Sequence, residues 1–164
     1  MATYKVIGKG QDGKYTDDAA RQDVIAYCQQ AHKTPGAYTG SRAVNLDNAA
    51  YEMDTLAQLY HKDDRVRLRH CVISFRPNDH ISPAQVAQIA ERAIRYFGGA
   101  YQILYCVHED TDDVHIHIVM NQVSYLDGHK YRGTKKEHYD FIAYMKQVLR
   151  PYGIPFIPVS GNSV

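Results

Sequence analysis

Apolar and polar residues alternate in two segments of the chain, and two further segments are strand-like, so that four β-strands are predicted. The four segments are TYKVIG (3–8), RLRHCVISFRP (67–77), YQILYCVH (101–108) and VHIHIVMNQVSY (114–125). Only the short acidic segment EDTDD separates the last two, which favours a hairpin. Side chains alternate across a strand, so His115, His117 and Asn121 share one face of the last strand, and Ile116, Ile118 and Met120 share the other.

Apolar residues at a spacing of three and four predict four helices. These helices cover residues 16–33, 46–62, 82–99 and 136–150. Two of them begin at capping boxes, Ser82 with Gln85 and Thr134 with Glu137. Residues 34–45 contain Pro and Gly and are predicted to form a loop. Strands interleaved with helices predict an α+β fold, a central antiparallel β-sheet with helices packed on one face. The histidine face would then be open.

Length and charge narrow the class of protein. The 164 residues predict a single domain, 1–164, and the net charge of +1 is far from that of a strongly basic nucleic-acid binder. No apolar run reaches the roughly 20 residues of a membrane helix, and the N-terminus lacks the apolar stretch of a signal peptide. We therefore expect a cytoplasmic protein with no membrane contact. Cys28, Cys71 and Cys106 show no CxxC spacing and are expected to be reduced core residues.

The predicted hairpin brings histidines together. His115 and His117 project side by side, and His108 ends the partner strand across the turn. Three imidazoles on a rigid hairpin can hold a divalent cation and leave coordination positions open. Asp110 is close enough in sequence to orient one of the imidazoles. The alternative interpretation is that these histidines are polar residues on the exposed face of a half-buried strand.

These residues also carry a resemblance. The pattern from His108 to Asn121, HEDTDDVHIHIVMN, resembles the third motif of conjugative relaxases, the P-type mobilisation family of HUH endonucleases. VIAYCQQAHKT (24–34) resembles the tyrosine motif of these enzymes, and the segment 69–86 resembles their second motif. SYLDGHKYRGTK and RPYGI follow in the expected order. The similarity covers about residues 20–155, and its histidine motif is the most specific part.

The resemblance implies a relaxase-type fold and a nicking activity. Tyr27 would be the nucleophile, with Tyr38 in reserve, and would hold the 5′-phosphate of the cut strand as a phosphotyrosyl ester. His108, His115 and His117 would bind a divalent ion, Mg²⁺ or Mn²⁺. Asp110 would orient a ligand histidine or accept the phenolic proton.

The resemblance also implies DNA contacts and partners. The expected DNA-binding residues are Ser74, Arg76, Asn121, Arg69, Lys130, Arg132 and Lys135, with Tyr125 and Tyr131 as stacking surfaces. The substrate would be single-stranded DNA at the transfer origin of a plasmid or integrative element in the bacterial cytoplasm. Accessory relaxosome and coupling proteins would assist. Relaxases commonly carry further regions, so the chain is interpreted as a nuclease domain excised from a longer protein.

Three other functions are considered. A replication-initiator HUH nuclease shares the chemistry, but there the tyrosine motif follows the histidine strand, whereas Tyr27 precedes it. A metal-containing nucleic-acid-binding module without catalysis would use the same sheet. A structural zinc protein is disfavoured because the site would consist of three histidines on one open sheet face, with no Cys ligand nearby.

Overall fold

A computed structural model describes residues 1–8 and 15–159. Its six strands are β1 (Ala2–Ile7), β2 (Thr39–Arg42), β3 (Leu68–Phe75), β4 (Tyr101–His108), β5 (Val114–Ser124) and β6 (Phe156–Pro158). Its four α-helices are α1 (Ala20–Cys28), α2 (Ala49–Leu59), α3 (Pro83–Phe97) and α4 (Lys135–Leu149). The strands form one sheet in the order β2-β4-β5-β3-β1-β6. Among the described residues, no helix combines the length and apolar character needed to span a membrane.

The centre of the sheet is the β4–β5 hairpin with β3 beside it. The β4–β5 register places His108 opposite His115, and the β3–β5 register places Ser74 opposite His115 and Val72 opposite His117. These pairings are antiparallel, while β6 runs parallel to β1 at the edge of the sheet. The sheet is therefore mixed, with an antiparallel core that carries the three histidines.

Helices α3 and α4 cover one face of the sheet and form the main core with it. Ile116, Ile118 and Met120 point into this core, as their alternation predicts. The helix starts follow the predicted caps: Ser82 Oγ accepts the backbone N–H of Gln85 at 3.3 Å in α3, and Thr134 and Glu137 form the matching box in α4. Local capping chemistry therefore sets where these two helices begin.

Helices α1 and α2 cover part of the opposite face, which differs from the expectation that all helices lie on one side. The histidine face also carries Leu68, Leu104, Cys106 and Val119, which form a second apolar cluster with residues of α1 and α2. Leaving this cluster in water would cost the hydrophobic stabilisation of its burial. Helices α1 and α2 therefore bury part of the histidine face.

Two further differences arise between α1 and α2. Helix α1 ends at Cys28 instead of continuing to residue 33, because the following QQAHK segment has no large apolar side chain to bury. Within the predicted loop, Thr39–Arg42 forms strand β2 along the free edge of β4. Its sequence, TGSR, has little intrinsic strand preference, so pairing with β4 decides the conformation.

Candidate active site

Three imidazole rings meet at the end of the β4–β5 hairpin. The ring centroids of His108 and His117 lie 4.1 Å apart, and His115 lies 5.3 Å from His108 and 5.1 Å from His117. One ring nitrogen from each residue lies within 4.8 Å of the other two. His108 is fully buried and His117 nearly so, while His115 is half-buried. The antiparallel register therefore brings together the three residues that the sequence predicts as metal ligands.

Hydrogen bonds set the protonation of two of these rings. Nε2 of His108 lies 2.9 Å from the carbonyl oxygen of Cys28, and Nδ1 of His115 lies 2.9 Å from that of Asp113. A carbonyl oxygen only accepts, so each of these nitrogens carries the proton and donates it. The other nitrogen of each ring, Nδ1 of His108 and Nε2 of His115, is therefore bare in the neutral imidazole.

Two buried ring nitrogens of this cluster have no hydrogen-bond partner and are suited to bind a cation. Among the described residues, His108 Nδ1 and His117 Nε2 are buried and have no hydrogen-bond partner. A buried polar atom without a partner costs free energy, and a bound ion removes that cost. Three neutral imidazole nitrogens are also a donor set that divalent transition ions accept. The side chains present therefore fit a metal ion.

Burial keeps the imidazoles in the form that binds metal. Desolvation, followed by the neighbouring histidines, lowers the pKa of His117 to about 2. Desolvation also lowers the pKa of His108, and this effect exceeds the opposing one of its bond to the Cys28 carbonyl. Both rings are therefore neutral at pH 7, as metal ligation requires.

Cys28, His70 and His117 form a second group whose ligand atoms lie within 4.8 Å of one another. In this group, His70 Nε2 and His117 Nδ1 are already joined by a hydrogen bond of 2.9 Å. Burial raises the pKa of the Cys28 thiol, which disfavours the thiolate that a metal needs. The group of His108, His115 and His117 is therefore the better metal site.

Tyr27 lies directly over this centre, on the last turn of α1. Its ring meets those of His108 and His117 edge-on, with centroid distances of 5.8 and 5.6 Å. The carbonyl of Cys28, the residue after Tyr27, accepts a hydrogen bond from His108. This bond joins the end of α1 to strand β4. Tyr27 is 43% exposed and borders a cavity of about 460 Å³ that His70 and His117 also line. The phenol of Tyr27 and the ring of His117 therefore border the same cavity.

Lys33 is a member of the site that the sequence interpretation missed. Its Nζ lies 5.0 Å from the centroid of the Tyr27 ring and 2.7 Å from Oδ2 of Asp110. The hydrogen bond to Asp110 is the main cause that raises the pKa of Lys33. The chain turns after α1 and returns along the hairpin, where Glu109 donates its N–H to the Lys33 carbonyl at 2.8 Å. Lys33 does lie within the tyrosine motif, but the helix predicted through residue 33 hid this turn.

Asp110 has a different role from the predicted one. It was expected to orient a ligand histidine or to accept the phenolic proton, but its carboxylate is held by Lys33. That hydrogen bond lowers the pKa of Asp110, so the group is a weak base. Backbone carbonyls, not this carboxylate, orient His108 and His115. The physical reason is proximity to a cation, which a carboxylate prefers to a neutral imidazole.

The predicted DNA contact of Asn121 is wrong, because its side chain is fully buried. Its Oδ1 accepts from Arg21 at 3.1 Å, and its Nδ2 donates to Gln102 Oε1 at 2.9 Å and to the Met53 carbonyl at 3.2 Å. Arg21 in turn forms an ion pair with Asp54 at 2.6 Å. Asn121 shares the histidine face as predicted, but helix α2 covers that part of the face, so its amide joins α1, α2 and the sheet.

The predicted basic residues are divided between the two faces. Ser74 lies on the histidine face opposite His115, and exposed Arg76 follows two residues later. Arg69 lies on the other face, with its guanidinium 5.1 Å from the ring centroid of Tyr131. Tyr131 itself is buried, so neither it nor Arg69 is placed to meet DNA as predicted. Side chains alternate along β3, so Arg69 points to the face opposite that of Ser74 and the histidines.

The other predicted lysine and arginine contacts lie near the start of α4. Lys130 forms an ion pair with Asp64 at 3.2 Å. Arg132 and Lys135 are exposed, but they lead into α4, which packs on the face away from the histidines. Tyr38, the reserve nucleophile, packs against the main core and is therefore also on that side. Of the residues predicted to contact DNA, the structure brings Ser74 and Arg76 nearest to the histidines in register.

The chain is similar in sequence to known proteins. Residues 20–154 match the family described as relaxase, MobA/VirD2-like, nuclease domain. The group II intron-interrupted relaxase LtrB of Lactococcus lactis subsp. cremoris is 26% identical over 132 residues, which cover 80% of this chain and 22% of LtrB. Protein rlx of Staphylococcus aureus is 29% identical over 96 residues, which cover 58% of this chain and 29% of rlx. The chain thus spans less than a third of either relative.

A solved structure supports the same fold. It comes from work on the molecular basis of vancomycin resistance transfer in Staphylococcus aureus, and it aligns with a TM-score of 0.52 at 11% identity. The alignment covers 76% of this chain and 74% of that chain. At this identity the likeness concerns the fold alone, and it confirms the predicted α+β fold.

Proposed function

This chain belongs to the MobA/VirD2-like relaxase family, and on that premise we propose that it nicks one strand of DNA at a transfer origin. Tyr27 is the nucleophile and stays attached to the 5′-phosphate at the nick. One observation carries the proposal: an exposed tyrosine ring lies against the rings of His108 and His117, in a group of three imidazoles whose ring nitrogens converge. A phenol beside a metal centre, open to a cavity, is what an attack on a phosphodiester requires.

The metal ligands in this proposal are His108, His115 and His117. When bound, a divalent ion would polarise a non-bridging oxygen of the scissile phosphate and offset the charge that develops there. Of the two ions predicted from sequence, Mn²⁺ suits the site better than Mg²⁺, because Mg²⁺ strongly prefers oxygen ligands. We therefore propose Mn²⁺ as the ion to use first in assays.

The chain's own groups carry the exchange of bonds. The Tyr27 oxygen forms a bond to phosphorus as the bond from phosphorus to the 3′-oxygen breaks. The phenolic proton passes to water, because Asp110 is engaged by Lys33 and Tyr27 is exposed. The departing 3′-oxygen takes a proton from water. One phosphodiester replaces another, so the step needs no nucleotide cofactor and its reverse reseals the strand.

Lys33 assists this step through its position. Its ammonium group lies beside the phenol and is held there by Asp110. A fixed cation at that place stabilises the negative charge of a deprotonating tyrosine and attracts the phosphate. The pair of Lys33 and Asp110 is thus a positioning device, which replaces the proton-transfer role predicted for Asp110.

The substrate in this proposal is single-stranded DNA, with Ser74 and Arg76 contacting its backbone beside the nick. The net charge of +1 provides little general attraction for DNA. We therefore also propose that accessory relaxosome and coupling proteins help to present the transfer origin. The exposed position of Tyr27 over the histidines favours this catalytic role over a binding module without catalysis.

The test is covalent attachment. Labelled single-stranded oligonucleotides that tile candidate transfer origins are incubated with the protein in Mn²⁺ or in EDTA, and adducts are separated on a denaturing gel. We expect a metal-dependent adduct that mass spectrometry maps to Tyr27. Tyr27→Phe should abolish it, whereas Tyr51→Phe, which changes a 73% exposed tyrosine on α2, should leave it intact. An adduct that survives Tyr27→Phe at full yield would contradict the proposal.

A further inference from the structure

We propose that His70 is a positioning residue. It accepts a hydrogen bond from Nδ1 of His117, so that Nε2 of His117 carries no proton and can bind the metal. This inference rests on the proposed metal centre. His70 lies on β3, opposite Val119 of β5, and is buried on the same face as the three ligands. Its Nε2 lies 2.9 Å from Nδ1 of His117, and the two ring centroids are 5.1 Å apart.

The direction of this hydrogen bond follows from ligation. A nitrogen that binds a metal carries no proton, so a ligating Nε2 leaves the single proton of neutral His117 on Nδ1. His117 Nδ1 then donates to His70 Nε2, which makes His70 the acceptor. The proton of neutral His70 is consequently on Nδ1, which lies 2.9 Å from the hydroxyl oxygen of Tyr15. Protons are thus arranged in one direction from the metal face to Tyr15.

Tyr15 is held as the end of this chain of hydrogen bonds. Its ring packs so closely on Gly8 that a Cβ added to Gly8 would lie 2.5 Å from a ring carbon. Its carbonyl accepts the N–H of Arg67 at 2.9 Å. Burial raises the pKa of the phenol to about 12, so its oxygen stays a neutral hydroxyl that can accept from His70. Tyr15 therefore fixes His70 in the orientation that accepts from His117.

His117 differs from the other two ligands in this respect. Backbone carbonyls orient His108 and His115, whereas a side chain orients His117. Without an acceptor at position 70, the proton of His117 can move to Nε2, the nitrogen that must be bare for binding. Partners that orient a metal-bound histidine typically contribute about 10- to 100-fold to metal affinity.

The experiment combines nitrogen NMR of the histidine rings in metal-free protein with calorimetric titration of Mn²⁺. In the wild type we expect His117 to carry its proton on Nδ1. His70→Phe should populate the other tautomer and weaken Mn²⁺ binding by about 10- to 100-fold. His70→Gln, whose amide oxygen can accept from Nδ1, should restore most of both properties. Tyr15→Phe should have a smaller effect in the same direction.

Cys28→Ser separates this role from direct ligation by the group of Cys28, His70 and His117. Under the proposal it lowers Mn²⁺ affinity less than His70→Phe does, because the backbone carbonyl that holds His108 is kept. An equal loss of affinity in Cys28→Ser and His70→Phe would overturn the proposal, since His70 would then be a ligand. An unchanged His117 tautomer in His70→Phe would overturn it as well.

The proposed nicking function can fail independently of this inference. The tautomer is read in metal-free protein, so it reports on His70 whether or not an adduct forms. If the wild type forms no adduct but His70→Phe shifts the tautomer and weakens Mn²⁺ binding, the nicking proposal fails and the role of His70 is supported. If Tyr27 forms its adduct and neither the tautomer nor Mn²⁺ binding responds to His70→Phe, the nicking proposal is supported and the proposed role of His70 fails.

Discussion

Acid should destabilise the metal-free protein through His117. Its pKa is about 2 in the folded protein, against about 6.5 in an unfolded chain. Between these values the unfolded state binds a proton that the native state does not, so stability is complete above about pH 6.5 and falls as pH decreases. Each pH unit within this window corresponds to about 1.4 kcal/mol, so lowering the pH from 7 to 5 should cost about 2 kcal/mol of unfolding free energy. The lowered pKa of His108 acts in the same direction.

The assay is urea unfolding in EDTA at several values of pH between 5 and 7.5, for the wild type and for His117→Gln. EDTA removes the separate pH dependence of metal binding. The variant should lose about 2 kcal/mol of the dependence of stability on pH, whatever its absolute stability. His32→Gln changes an exposed histidine outside the site and should keep the wild-type dependence. If His117→Gln keeps the full wild-type dependence of stability on pH, the reasoning is refuted. A group other than His117 would then be the one that stays unprotonated in the folded protein.

Three further results are expected. Lys33→Met should slow formation of the Tyr27 adduct by about an order of magnitude in single-turnover assays at saturating Mn²⁺. Lys33→Arg should retain most of the rate. Equal rates in both variants and the wild type would show that Lys33 does not assist the reaction. Mn²⁺ at 100 times its dissociation constant should stabilise the fold by about 2.7 kcal/mol, measured by urea unfolding, and His115→Ala should lose this stabilisation. Asn121→Leu should lower the free energy of unfolding by about 2 kcal/mol, because Gln102 loses its partner and Arg21 loses one of its acceptors. A change in DNA affinity at unchanged stability would restore Asn121 as a contact.

The elements that could be predicted from sequence are those decided by neighbouring residues. The capping boxes at Ser82 and Thr134 mark helix starts that the structure reproduces. The strand predicted from Tyr101 to His108 has those bounds, and alternation on β5 places its residues on the expected faces. The register of the hairpin then brings His108 beside His115, which makes the histidine cluster readable from the pattern.

The features that could not be predicted depend on residues far apart in sequence. The partners of Asn121 are Arg21, Met53 and Gln102, each on a different element, so no local pattern reveals its burial. Lys33 joins the site because the chain turns after α1, and the turn is stabilised by a bond to Glu109 on the hairpin. The face of each basic residue likewise depends on which helices cover the sheet.

The cover over the histidine face explains why the centre is only partly open. Val119, two residues beyond His117 on the same face, needs the apolar cover that α1 and α2 provide. The same helix α1 brings Tyr27 over the histidines and presents the Cys28 carbonyl to His108. Packing of α1 in the second apolar cluster therefore also places Tyr27 and the Cys28 carbonyl at the site. A substitution that loosens α1, such as Ile25→Ala in this cluster, should consequently displace Tyr27 from the histidines as well as reduce stability.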